Sequence, residues 1–133
     1  MKDLDWSNLS FGYRQTDYNV RCYYRDGKWG EIEVCSDEYL KLHMAATCLH
    51  YGQEAFEGLK AYRCPDGKVR VFRMDENAKR LQSTCRGILM PEVPTEMFEE
   101  MVKKVVRLNQ EWIPTYESGA TLYIRPLLIG TSA

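Results

Sequence analysis

The residues predict an α+β domain, a largely antiparallel sheet with two flanking helices, on the strength of three observations. Two tight-turn signals, Asp26-Gly27 and Pro65-Asp66-Gly67, each lie between short stretches of strand-forming residues. Two longer stretches, beginning near Met74 and Thr95, repeat apolar residues at the spacing of an amphipathic helix. Strands and helices come in mixed order with adjacent hairpins, which favours antiparallel pairing over a regular βαβ alternation.

The first strand covers Val20 to Tyr24 and enters a turn at Asp26-Gly27, beyond which Lys28-Trp29 begin the return. Asp-Gly is suited to the positive φ angles of a two-residue hairpin. A second hairpin pairs LKAYR (59–63) with KVRVFR (68–73) across Cys64-Pro65-Asp66-Gly67, where proline presets φ and glycine can take the left-handed position. The first helix carries Met74, Ala78, Leu81, Cys85 and Ile88 on one face, with Asp75 as its N-cap and Gly87 and Pro91 marking its end. The second runs from Thr95, its cap, to about Glu111. Its stripe is Phe98, Met101, Val102, Val105 and Leu108, opposite Glu99, Glu100, Lys103 and Lys104. The last element, TLYIRPLLIG (121–130), is strand-like, but Pro126 cannot donate to a ladder and implies an edge or a bulge.

Composition narrows the function classes. A length of 133 residues suits one compact domain, and a net charge of -1 without any long basic run argues against nucleic-acid binding. No apolar stretch approaches the roughly 20 residues of a membrane-spanning helix. Cys22, Cys35, Cys48, Cys64 and Cys85 are odd in number and contain no C-x-x-C pair, so they read as free thiols of a reducing compartment. With no signal-like start and an N-terminus too acidic for a transit peptide, the expectation is a cytoplasmic protein. His43 and His50 have no partners at metal-ligand spacing and are assigned no metal or acid-base role.

Two strings carry more specific information: LHYGQEAFEGLKAYR (49–63) and LYIRPLLIG (122–130), with FRMDENAKRLQ (72–82) between them. From about Phe11 to Gly130 the chain resembles the branched-chain aminotransferases, class IV enzymes of fold type IV that use pyridoxal phosphate. HYGQEAFEGLKAY is the most specific part of that resemblance. It implies that residues 1–133 are the small N-terminal domain. It also implies that Arg80 binds the cofactor's phosphate, that Tyr51, Phe56 and Gly58 shape the substrate pocket, and that Tyr51 reaches into the partner subunit's active site. Tyr123 would help hold the substrate's α-carboxylate, and Arg125 would accept the side-chain carboxylate of glutamate. The resemblance further implies a homodimer acting on leucine, isoleucine, valine, their 2-oxo acids and glutamate in branched-chain amino-acid biosynthesis.

The residues themselves allow blander readings. Arg80 also fits a solvated helix arginine, although its position one residue from Leu81 puts it at the margin of the buried face. Phe56 fits core packing, Gly58 a turn, and Arg125 a surface charge. Tyr123 and Arg125 alternate with Leu122 and Ile124, so in a strand they share one face.

Aminotransfer also needs a lysine to carry the cofactor and an acidic partner for its pyridine nitrogen, and the resemblance places both in a larger second domain after the YIRP strand. No lysine here sits in a matching motif, and Lys60 reads as solvent-facing. The expectation is a fragment with no catalytic residue of its own, inactive alone. The final residues Gly130 to Ala133 carry no stop signal, which also suggests that more chain follows. The alternatives are a stand-alone binding or dimerisation module and a fragment of another class IV enzyme, a D-amino-acid aminotransferase or an aminodeoxychorismate lyase.

Overall fold

The computed structural model describes Lys2, residues 4–6 and residues 11–133. The reading of the N-terminus as free of a targeting segment falls partly on residues 1, 3 and 7–10, which lie outside the described residues. Among those described, nine strands and three α-helices form an α+β fold in which every strand pair is antiparallel.

The expected first strand is interrupted. β1 (Asn19–Arg21) pairs with β4 (Glu33–Cys35), while β2 (Tyr24–Arg25) and β3 (Lys28–Trp29) form a separate tight hairpin. Asp26 and Gly27 both have positive φ, 54° and 79°, as a two-residue hairpin turn of the primed type requires.

The site is organised by the central strands. β6 (Leu59–Arg63) pairs with β7 (Val69–Val71) across the turn at 64–67, where Gly67 has φ 82°, and its other edge pairs with β8 (Leu122–Ile124). Pro126 does break the last strand, and beyond it β9 (Leu127–Ile129) pairs with β5 (Glu54–Phe56). Leu59 lies opposite Ile124 and Phe56 opposite Leu127, so the register passes through the break without slipping. The Glu57 N–H donates to the Pro126 carbonyl at 3.0 Å and bridges the gap.

Two helices cover the inner face. α2 (Met74–Gly87) buries Ala78, Leu81 and Cys85, and α3 (Thr95–Leu108) buries Phe98, Val102 and Val106. These side chains join Ala55, Leu59, Ala61 and Ile124 of the strands in one apolar core. The short α1 (Thr47–His50) precedes β5.

Three boundary expectations are corrected. Arg73, in a left-handed conformation with φ 51°, occupies the N-cap of α2, so Asp75 lies inside the first turn, where its charge still favours the helix dipole. Pro94 caps α3, and Thr95 is its first helical residue. α3 also stops at Leu108 instead of continuing to Glu111, because the buried Asn109 takes the cap position. Its side chain accepts from the Asp17 and Tyr18 N–H groups at 3.1 and 3.0 Å and donates to the Tyr18 and Val105 carbonyls at 2.9 and 2.8 Å. That amide straps the segment before β1 onto the end of α3.

Candidate active-site residues at the strand break

Strand alternation separates the residues around the break. Ala55, Glu57 and Leu59 point into the domain and are buried, while Phe56 and Lys60 are exposed on the other face. Glu57 is therefore an acid placed in an apolar layer, 4% exposed. Burying a carboxylate is costly without partners, and α2 supplies two of them. Asn77 Nδ2 donates to Glu57 Oε1 at 2.9 Å. Arg80 Nε donates to both carboxylate oxygens at 3.0 Å, and Arg80 Nη2 to Oε1 at 2.6 Å. Burial pushes the Glu57 carboxyl up, but the hydrogen bonds from Arg80 and Asn77 outweigh it and hold it below its ordinary value.

Arg80 itself remains open to solvent, with a side chain 68% exposed. It lines a cavity of about 530 Å³ together with Gly58, Lys60, Arg73, Asn77 and Thr121. Among the described residues, its Nη1 has no hydrogen-bond partner. One edge of the guanidinium is held and the far end is free, which suits an anion with several acceptor oxygens.

Four expected site residues meet at the break. Gly58 does not adopt a positive φ, so it is not a turn glycine. Its role is space: a Cβ there would collide with the Tyr123 hydroxyl and lie 3.1 Å from Tyr123 Cζ. Tyr123 and Arg125 do share a face, for the Tyr123 hydroxyl accepts from Arg125 Nε at 3.2 Å and Nη2 at 3.0 Å. The Arg125 guanidinium lies 4.4 Å from the centre of the Phe56 ring, within cation–π range. Phe56 is 56% exposed, so it is a surface wall and not part of the core.

Tyr51 stands apart. It is exposed and lines a different concavity with Gln53, Ile88 and Leu89, and among the described residues its ring contacts His50. Lys60 is exposed, as expected, but it also lines the Arg80 cavity. His43 and His50 bond to nearby backbone, His43 Nδ1 accepting from the Ala45 N–H at 3.0 Å and His50 Nε2 lying 2.8 Å from the Met44 carbonyl.

Sequence reasoning missed Glu57, Asn77 and Phe11, whose ring meets Tyr123 edge-on at 5.3 Å. The signal for Glu57 was present as an acid within the apolar period of AFEGL. Asn77 and Phe11 gave none, since their roles arise from contacts across the fold.

No family model matches the chain. It is 55% identical over 130 residues to the branched-chain-amino-acid aminotransferase of Haemophilus influenzae, an alignment that covers 98% of this chain and 38% of the relative. The chain belongs to the branched-chain aminotransferase family. Its fold matches the Escherichia coli branched-chain amino acid aminotransferase with a TM-score of 0.64 and 27% identity, covering 86% of this chain and 33% of the other. It also matches a T.th. branched-chain amino acid aminotransferase complexed with N-(5'-phosphopyridoxyl)-L-glutamate. There the TM-score is 0.61 and the identity 30%, over 76% of this chain and 32% of the other. The chain thus spans well under half the length of the branched-chain aminotransferases it matches.

Proposed function

We propose that the chain is the small N-terminal domain of an enzyme that moves an amino group between leucine, isoleucine or valine and 2-oxoglutarate, using pyridoxal phosphate. The observation that carries this reading is the placement of Arg125 over Phe56, fixed by the Tyr123 hydroxyl. A cation set beside an aromatic wall can receive either a side-chain carboxylate or an isobutyl group at one place. Gly58 leaves the room that this arrangement needs.

Arg80 fits the cofactor's phosphate, because its Nη1 has no hydrogen-bond partner among the described residues and the side chain borders a cavity of about 530 Å³. The relative complexed with a phosphopyridoxyl-glutamate supports pairing a phosphate with a dicarboxylate substrate in one site. Pyridoxal phosphate, when bound, supplies the electron sink that lets an amino acid's α-carbon lose and regain its proton. This chain's residues bind and orient: Arg80 holds the phosphate, Tyr123 the α-carboxylate, and Arg125 the distal carboxylate. Phe56 and Gly58 shape the side-chain pocket, and Tyr51, exposed and apart from this group, serves the active site of the other subunit of a homodimer. No residue of this chain is assigned the covalent or proton-transfer step. A cytoplasmic location accords with the free thiols of Cys22, Cys35, Cys48, Cys64 and Cys85; among the described residues no helix is long and apolar enough to cross a membrane.

Arg125→Gln in the full-length protein tests the reading. The half-reaction with glutamate or 2-oxoglutarate loses efficiency by at least about tenfold, while the leucine half-reaction stays nearly unchanged, since an isobutyl group makes no ionic contact. Single-turnover spectra of the cofactor report each half-reaction. Equal losses for both substrates would contradict the assignment of Arg125.

A further inference from the structure

We infer that Glu57 is a positioning residue for anion recognition: it takes the Nε–Nη2 edge of Arg80 and presents the remaining Nη1–Nη2 edge to the cofactor's phosphate. This rests on the reading of Arg80 as the phosphate-binding arginine and adds to it a residue with a separable function.

A guanidinium has five N–H donors in a plane, and Glu57 engages Nε–H and one hydrogen of Nη2. That leaves a parallel pair, one N–H from Nη1 and one from Nη2, spaced to meet two oxygens of a phosphate. An arginine at an exposed helix position ordinarily loses much rotamer freedom when it grips a ligand. Arg80 has already lost that freedom on folding, because its partner is fixed from two sides. The Glu57 N–H is bonded to the Pro126 carbonyl, and its carboxylate is bonded to Asn77 on the same helix as Arg80.

Stability alone is a poor account of the pair. The inner face around Glu57 is otherwise Ala55, Leu59 and Ala61, where an apolar side chain would serve packing at least as well. An ordinary surface bridge joins two exposed groups, whereas here a carboxylate 4% exposed holds a guanidinium that stays 68% exposed and borders a cavity.

Two physical effects oppose one another in Glu57→Gln, and this makes the test decisive. By charge alone, removing an anion beside a phosphate site tightens phosphate binding. By positioning, it weakens binding, because glutamine cannot accept from both Arg80 nitrogens and Asn77 as the carboxylate does. The experiment titrates the full-length protein, freed of cofactor, with pyridoxal phosphate and with pyridoxal, which lacks the phosphate, and follows intrinsic fluorescence.

Glu57→Gln is expected to weaken pyridoxal phosphate binding roughly tenfold, the scale on which outer partners of ligating side chains act, and to leave pyridoxal unchanged. In an Arg80→Ala background the same substitution adds nothing. Unchanged or tighter pyridoxal phosphate binding, or an equal loss for both ligands, overturns the inference while leaving Arg80 in its place. If Arg80→Ala itself leaves pyridoxal phosphate binding intact, the reading of Arg80 fails, and the inference falls with it. Should Glu57→Gln not fold, Asn77→Ala, which removes the second hold on the carboxylate, gives the same phosphate-selective loss to a smaller extent. No such selectivity there also overturns the inference.

Discussion

Gly58→Ala perturbs the strand break with a single methyl group. The backbone tolerates alanine, since Gly58 does not adopt a positive φ, and restricting the unfolded chain would by itself stabilise the variant by about 0.4–1 kcal/mol. The obstacle is Tyr123, whose hydroxyl occupies the added position and whose Cζ and Cε2 lie 3.1 and 3.2 Å from it. Contact along the ring as well as at its tip means that the whole side chain must swing aside, giving up its bonds from Arg125 and its edge contact with Phe11. Overpacking of this kind costs ~1–3 kcal/mol, so the net loss is about 1 kcal/mol and the variant still folds. Tyr123→Leu removes the ring atoms in the way, and in that background Gly58→Ala becomes neutral or mildly stabilising. Urea unfolding of the four proteins in this cycle should yield a coupling of about 1–2 kcal/mol. The same cost in both backgrounds would refute the account of why position 58 is glycine.

Two further predictions address the framework. Asn109→Ala removes four hydrogen bonds at a residue 2% exposed and leaves the Asp17 and Tyr18 N–H groups without their acceptor. It should cost about 2–3 kcal/mol in urea unfolding and speed proteolysis near Asp17, and a loss under about 0.5 kcal/mol would show that water substitutes for the amide. The pH dependence of stability should carry the mark of Glu57. Its folded-state value lies below the ordinary 4.5, so its contribution is complete above that value and is lost as pH falls through the folded-state value. Between about pH 6 and about pH 3 the protein should therefore lose more stability than its Glu57→Gln variant, and parallel curves would contradict the lowered value.

What could be read from the sequence was what short-range chemistry determines. Asp26-Gly27 and the turn before Lys68 specify their hairpins through local φ preferences, and the period of Ala78, Leu81 and Cys85 specifies the buried face of α2. Pro126 announced the break between β8 and β9, and alternation put Tyr123 and Arg125 together. The caps were less legible because neither uses a side-chain hydrogen bond: Arg73 and Pro94 hold those positions by backbone conformation alone. β4 and β5 were missed because each is only three residues long and is defined by partners distant in sequence. The resemblance named Arg80 and Arg125, but what holds each arginine was visible only in three dimensions. Glu57 sits 23 residues from Arg80, and no local pattern links them.

The most direct test of the central claim is glutamate formation from leucine and 2-oxoglutarate by the full-length protein supplied with pyridoxal phosphate. Leucine, isoleucine and valine should each yield glutamate, and D-alanine should not, since the wall at Phe56 and the cation at Arg125 are read as a site for branched apolar and dicarboxylic side chains, and a methyl group is neither. Amino transfer from D-alanine with none from leucine, or no transfer with any of these donors, would contradict the account.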